Sequence, residues 1–251
     1  MDFIKFLGTA GARVVVSRQL RASGGIWLSL DGTNLSIDPG PGALVKALAS
    51  RPKLDPTTLD GILISHKHLD HSGDVNAMIE AMTAGTFKKR GVVFAPAEAY
   101  RNDPVILKYV RKYPERLEIL KEKQKYKVGS LSFTTPIKHI HHNTETYGFK
   151  FRGEKVTLSY ISDTKYFPGL IRAYKADVLV VGVLRPEPSH LEHLCVEDLK
   201  KLVRGIKPKI TIMTHFGMWM VGAKPWLVAE QLSRELNAKV IAAEDGMKFE
   251  L

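Results

Sequence analysis

Ser65-His66-Lys67-His68-Leu69-Asp70-His71-Ser72-Gly73-Asp74 places three histidines and two aspartates within ten residues. The run before it, Gly61-Ile62-Leu63-Ile64, reads as a buried strand, and the apolar spacing of Val75, Ala77, Met78, Ile79, Ala81 and Met82 predicts a helix after it. Ligand-type side chains at the exit of a buried strand, ahead of a helix, are where α/β folds place their chemistry. His66 and His68 are two apart, so extended backbone points both to one side, where they can share a metal. Asp70 and His71 follow once the chain has begun to turn, and can face a second, adjacent metal. Imidazole with carboxylate suits zinc, manganese or iron, and the lack of cysteine ligands argues against a purely structural zinc knot. A solvated, His-rich loop with Asp70 as a helix cap is the plain alternative, and it leaves the fixed register of four ligand-type residues unaccounted for.

His-x-His-x-Asp-His after a strand resembles the signature of the metallo-β-lactamase superfamily of metal-dependent hydrolases. The resemblance implies an α/β fold, the four-layer αββα sandwich, over a single domain spanning 1–251. It also implies two divalent metal ions, with zinc the first choice and manganese or iron the alternatives. In the family, one metal is held by the first two histidines and a later one, the second by the Asp-His pair and a C-terminal His, and an Asp bridges the two. The downstream candidates come in that order. The strand-like Ile137 to His142, followed by Tyr147-Gly148-Phe149, resembles the third-histidine motif of the ribonuclease Z and cyclic-phosphodiesterase branches. That register selects His142 with His66 and His68, with His141 the runner-up. His139 and His141 share a strand face, so one of them can simply pack or hydrogen-bond. Asp163, at the end of the strand Thr157–Ser162, is the candidate bridge, and His215, after Ile210–Thr214, joins Asp70 and His71.

Other segments resemble the same branches. Leu184-Arg185 through His190 and His193 is similar to the Leu-Arg…His-x-x-His segment of phosphoribosyl cyclic phosphodiesterase relatives, with Cys195 where relatives often carry Ser. His193 is the candidate general acid, donating a proton to the leaving alkoxide, and Asp70 helps orient the attacking water. Asp38-Pro39-Gly40 resembles a strand-ending motif whose Asp holds the His-rich loop without binding metal. By this resemblance the chain is a dinuclear hydrolase, a phosphodiesterase acting on a small or nucleotide-derived phosphodiester through a hydroxide between the metals. A nuclease is the alternative, although the interval between His142 and Asp163 is only 21 residues, too short for the RNA-clamping arm of ribonuclease Z. A carboxyl-ester, thioester or lactone hydrolase is another, and a nucleic-acid-binding module is the non-enzyme reading.

At 251 residues the chain suits one domain with a continuous core. Its single cysteine, Cys195, excludes an internal disulfide and fits a reducing cytoplasm. No apolar run approaches membrane-spanning length, and Met1 to Phe6 has strand character without a signal-peptide layout, so a soluble cytoplasmic protein is expected. A formal charge of +11, from 37 basic and 26 acidic residues, favours anionic partners, a small molecule or nucleic acid. A homodimer is compatible with the sequence. Arg18 and Arg21, in a basic loop, are candidates to contact an anionic substrate. The 85–127 region is Lys/Arg-rich, and Lys88-Lys89-Arg90 with Lys121 to Lys127 could track a phosphate backbone, although a charge run is more often a solvated face. Elsewhere, Gly8-Thr9-Ala10-Gly11 reads as a turn with no helix after it, Asp31-Gly32 as a hairpin, and Asp103 to Tyr113 as helical.

Overall fold

The computed structural model describes residues 1–101 and 103–251. β1 (Phe3–Gly8) leads through α1 (Ala12–Ser17) to β2 (Ser23–Leu30) and β3 (Thr33–Ile37). α2 (Ala43–Ala49), β4 (Gly61–Leu63), α3 (Leu69–Ser72), α4 (Val75–Met82), β5 (Val92–Ala95) and β6 (Arg116–Ile119) complete the first half. The second half holds β7 (Gln124–Val128), β8 (Leu131–Thr135), β9 (Phe149–Arg152), β10 (Thr157–Ile161), α5 (Gly169–Ala173), β11 (Val178–Gly182), α6 (Val196–Ile206) and β12 (Ile210–Thr214). α7 (Met218–Gly222), α8 (Pro225–Leu236), β13 (Val240–Ala242) and β14 (Lys248–Glu250) end the chain.

The strands form two seven-stranded sheets, ordered β14-β1-β2-β3-β4-β5-β6 and β13-β12-β11-β10-β9-β8-β7. In both, the earlier strands pair antiparallel, and the later ones pair parallel from β3 to β6 and from β10 to β13. Strand alternation makes the layers. Phe6, Leu28, Phe94, Phe133, Phe149, Phe151 and Ile212 meet between the sheets. Trp27, Ile62 and Val93 face outward under α2 and α4, whereas Leu179, Val181 and Met213 face outward under α5, α6 and α8. Each fully buried Leu or Phe contributes roughly 1.5–3 kcal/mol. α4 buries Val75, Met78, Ile79 and Met82, and α6 buries Leu199, Leu202, Val203 and Ile206, both the i, i+3, i+4, i+7 stripe. The result is the expected αββα sandwich. No helix among the described residues is long and apolar enough to cross a membrane.

Local expectations met mixed outcomes. The Asp31-Gly32 hairpin forms, with φ of 48° and 74°, the left-handed pair that matches strand twist. α1 follows Gly11 where only a turn was expected, because its Val14-Val15-Val16 run hides a helix that buries only Val15. The segment 137–142 does not extend β8. The chain leaves the sheet after Thr135, and only Lys138 bridges back, to Tyr147. Of Asp103 to Tyr113, Lys108–Lys112 forms a 3-10 turn. The basic region supplies β6 and β7, one edge of each sheet (Asn102 within it lies outside the described residues). On β7, Tyr126 and Val128 point inward, while Lys125 and Lys127 stay exposed, a common way to blunt an edge strand.

Candidate metal centre

Parallel strands end on a common edge, and the ligand-type residues collect there. Asp38 follows β3, the 65–71 loop follows β4, Asp163 follows β10, His193 lies beyond β11 and His215 follows β12. The 139–142 loop arrives from the β8–β9 connection.

Asp38 organises the first of these loops. Its carboxylate accepts from the Ser65 N–H at 2.6 Å, the Ser65 hydroxyl at 2.7 Å and the Tyr160 hydroxyl at 2.9 Å, and lies 2.9 Å from His71 Nδ1. Ser65 Oγ lies 3.0 Å from His66 Nδ1 and accepts from Ser162 Oγ at 2.8 Å, which ties the end of β4 to the end of β10. His68 caps α3, and that short helix presents Asp70 and His71 together.

His66, His68 and His141 form one group, and Asp70, His71, Asp163 and His215 another; within each, ligand atoms lie within 4.8 Å of one another. His66 Nε2 and His141 Nε2 stand 3.0 and 3.1 Å from His68 Nδ1, and His71 Nε2 stands 3.0 Å from His215 Nε2. Asp163 lies between the groups. Its Oδ2 is 3.5 Å from both His71 Nε2 and His141 Nε2, and its Oδ1 is 3.3 Å from His215 Nδ1. Asp70 Oδ2 is 3.4 Å from His215 Nε2 and accepts the Ala12 N–H at 3.2 Å. A Cβ at Gly11 would collide with the His215 carbonyl, so this glycine is what lets α1 approach the centre. His193 Nε2 lies 3.1 Å from Asp163 Oδ2, so His193 faces the same carboxylate.

The structure separates the two candidates for the third histidine. His141 is buried in the first group, whereas His142 is exposed, at a left-handed φ of 48°. No strand runs through 137–142, and the chain turns between the two residues. His142 instead stands at the rim with His141 and His193. His139 is buried and bonded elsewhere, Nδ1 3.2 Å from the Asp163 carbonyl and Nε2 2.7 Å from the Tyr174 hydroxyl. Arg18 is exposed at the end of α1. Arg21 lies over the Phe216 ring at 5.8 Å and donates to Thr9 Oγ1 at 3.4 Å, so it adjoins the His215 loop. A cavity of about 400 Å³, lined by Glu98, Lys138, Ile140, His142, Thr144 and Glu145, opens beside His141. Sequence reasoning passed over Ser65, Ser162 and Tyr160, whose one signal was that each serine precedes a ligand-type residue at a strand end.

The electrostatics separate the groups. Burial, chiefly, lowers His66 and His68 and pushes His141 down to about 4, so these imidazoles keep free lone pairs at neutral pH. Burial disfavours charge on His71 too, but Asp163, Asp70 and Asp38 outweigh it and hold His71 well above the usual histidine range. Asp163 and Asp70 are held low against burial, Asp163 by His215, His193 and His71, and Asp70 by His71 and His215. The donor set fits divalent cations. Neutral imidazoles converge in one group, two ionised carboxylates stand in the other, and the Nδ1 atoms of His193 and His215 are buried without hydrogen-bond partners.

Residues 33–216 match the family described as the beta-lactamase superfamily domain. The chain belongs to the metallo-β-lactamase superfamily. An uncharacterized protein of Methanocaldococcus jannaschii is 31% identical to this superfamily member over 260 residues, covering 99% of this chain and 94% of its own. The metallo-β-lactamase fold protein YhfI of Bacillus subtilis superposes with a TM-score of 0.81 at 18% identity, over 99% of this chain and 98% of its own. A diphosphatase of the PhnP family gives 0.72 at 24% identity, over 100% and 98%. The family and the His/Asp cluster make the chain a metal-dependent hydrolase by fold and ligand chemistry.

Proposed function

We propose that this hydrolase is a dinuclear phosphodiesterase acting on a small or nucleotide-derived phosphodiester. The observation that carries the reading is Asp163, one buried carboxylate within 3.5 Å of ring nitrogens from both donor groups and 3.1 Å from His193. In it, His66, His68 and His141 hold one cation, Asp70, His71 and His215 the other, and Asp163 is shared. Zinc suits this set, with manganese or iron as alternatives. Bound cations there lower the pKa of water and neutralise charge on phosphoryl oxygens.

The chain's own residues do the rest. Asp38 accepts from His71 and so fixes which ring nitrogen is free. Asp70, steadied by the Ala12 N–H, would help orient the attacking water. His193 gives its proton to the leaving alkoxide. Arg21, beside the His215 loop, and Arg18 supply positive charge for an anionic substrate, in keeping with the net +11. The PhnP-family diphosphatase among the structural neighbours supports phosphorus chemistry over carboxyl esters.

The test is hydrolysis of bis(p-nitrophenyl) phosphate by zinc- or manganese-loaded protein, against Asp163→Ala. Turnover that requires metal and vanishes in the variant is expected. Bound metal without turnover would move the assignment to ester, thioester or lactone substrates. Salt-sensitive nucleic-acid binding that survives metal removal would instead favour the non-enzymatic reading.

A further inference from the structure

Three loops of the second half reach the centre, 139–142, 163–165 and 189–193, and Glu192, in the third, touches the other two. Its backbone carbonyl lies 3.1 Å from His141 Nδ1 and accepts that N–H. Its Oε2 accepts the His142 backbone N–H, and its Oε1 accepts from Lys165 Nζ at 3.2 Å. Lys165 in turn donates its own N–H to the Ile140 carbonyl at 2.9 Å. The His142 amide lies outside the β8 ladder, and the carboxylate accepts from it. With Nδ1–H given to Glu192, the free lone pair of His141 is on Nε2, the atom 3.1 Å from His68. The next residue along the chain is His193.

We propose that Glu192 is a positioning residue that clasps the His193 loop to the His141 loop and anchors both on Lys165. Its work is to fix the ring tautomer of His141 and the placement of His193 relative to it. The inference rests on the reading above that His141 is a ligand, and it adds a residue outside both donor groups on which that ligand depends. Glu192 binds no cation itself: its carboxylate is spent on His142 and Lys165.

Imidazole 15N–1H correlation spectra of the full chain, with and without zinc, read the clasp directly, the His141 Nδ1–H being assigned by its loss in His141→Gln. Glu192→Ala keeps the backbone carbonyl but removes the carboxylate that holds it in place, so this proton should exchange with solvent about tenfold faster, and zinc should bind about tenfold more weakly at the first group. Glu192→Gln, which keeps an oxygen for the His142 N–H, should stay within about threefold of wild type on both readouts. Lys165→Met should fall between them. If Glu192→Ala does not fold, the Gln and Met variants carry the same ranking. A lowered melting temperature with unchanged exchange and zinc affinity would overturn the proposal, since a merely structural residue behaves that way. Should wild-type protein bind no zinc, the metal assignment fails, while the exchange rates still decide the clasp.

Discussion

Asp70, His71 and His215 stand on a braced frame, whereas His66, His68 and His141 are closed by a loop. On the first side, Asp38 gathers Ser65, Tyr160 and His71 onto one buried carboxylate, and the Ala12 N–H fixes Asp70. On the other, His66 leans on Ser65, but His141 hangs from a connection outside the sheet and is held through Glu192. The difference is one of preorganisation. Side chains at strand ends inherit the rigidity of a hydrogen-bonded sheet, and a ligand on a loop must be held by its neighbours. The braced group should therefore keep its shape whether or not a cation is bound, and the looped group should be the more easily disturbed.

The residue common to both sides gives the largest effect. Partners that only orient metal ligands cost 10–100-fold when removed, so Asp163→Ala should lower turnover by more than about 100-fold. Metal analysis after dialysis should show fewer than two cations per chain. Two retained cations would mean that the groups are independent and would break the comparison at its centre. His193→Ala comes next. It should lower kcat about 100-fold with metal content unchanged, the division expected of a group that moves a proton and holds no cation. Loss of metal in that variant would reassign His193 to the ligand set.

Asp38→Asn sharpens the contrast between the sides. It should weaken cation binding at the braced group by roughly 10–100-fold and at the looped group less, since Asp38 reaches His66 only through Ser65. Protonation supplies an independent readout. His71 is held above the usual range by carboxylates, so it carries a proton at neutral pH that a cation must displace. Affinity at the braced group should thus rise about tenfold per pH unit, one proton being released, until pH passes the His71 pKa. The imidazoles of the looped group are lowered by burial and already neutral, so affinity there should be flat across the neutral range. Zinc titration by calorimetry in buffers of different ionisation enthalpy separates the two. In Asp38→Asn the proton leaves His71 more readily, so proton release at neutral pH should shrink.

What could be read from the sequence divides along the same line. The layers were expected from the resemblance, whereas single elements were legible in the chain itself: β11 is a continuous apolar run, and α4 shows an unbroken apolar stripe. The spacing of the 65–71 loop and the ligand order that the resemblance implies pointed to His66, Asp70, His71, Asp163 and His215, and the structure brings these residues together. The basic stretch hid β6 and β7 because edge strands are short and carry charged side chains, Arg116 and Glu118 on β6 and Lys125 and Lys127 on β7. Ser162, Tyr160 and Glu192 could not be found, since their roles are hydrogen bonds across long sequence separations that no local pattern encodes.

His141 and His142 are the two candidates for one position, and they make the finest test. Nothing in their immediate sequence separates them. The turn that divides them depends on β8 ending at Thr135 and on Glu192 accepting the His142 amide. In the structure, His141 is buried against His68 and His142 points outward with its backbone at φ 48°. His141→Ala should therefore weaken cation binding at the looped group by more than about tenfold, the result expected of the ligand role proposed for it. His142→Ala should stay within about twofold in cation affinity, because the Glu192 carboxylate contacts its backbone N–H, which alanine retains. A small change in KM is the most it should show, from its place at the rim of the cavity beside His141. Equal losses in the two variants would mean that the loop samples both registers, and would make the looped side adaptable in ligand choice as well as in support.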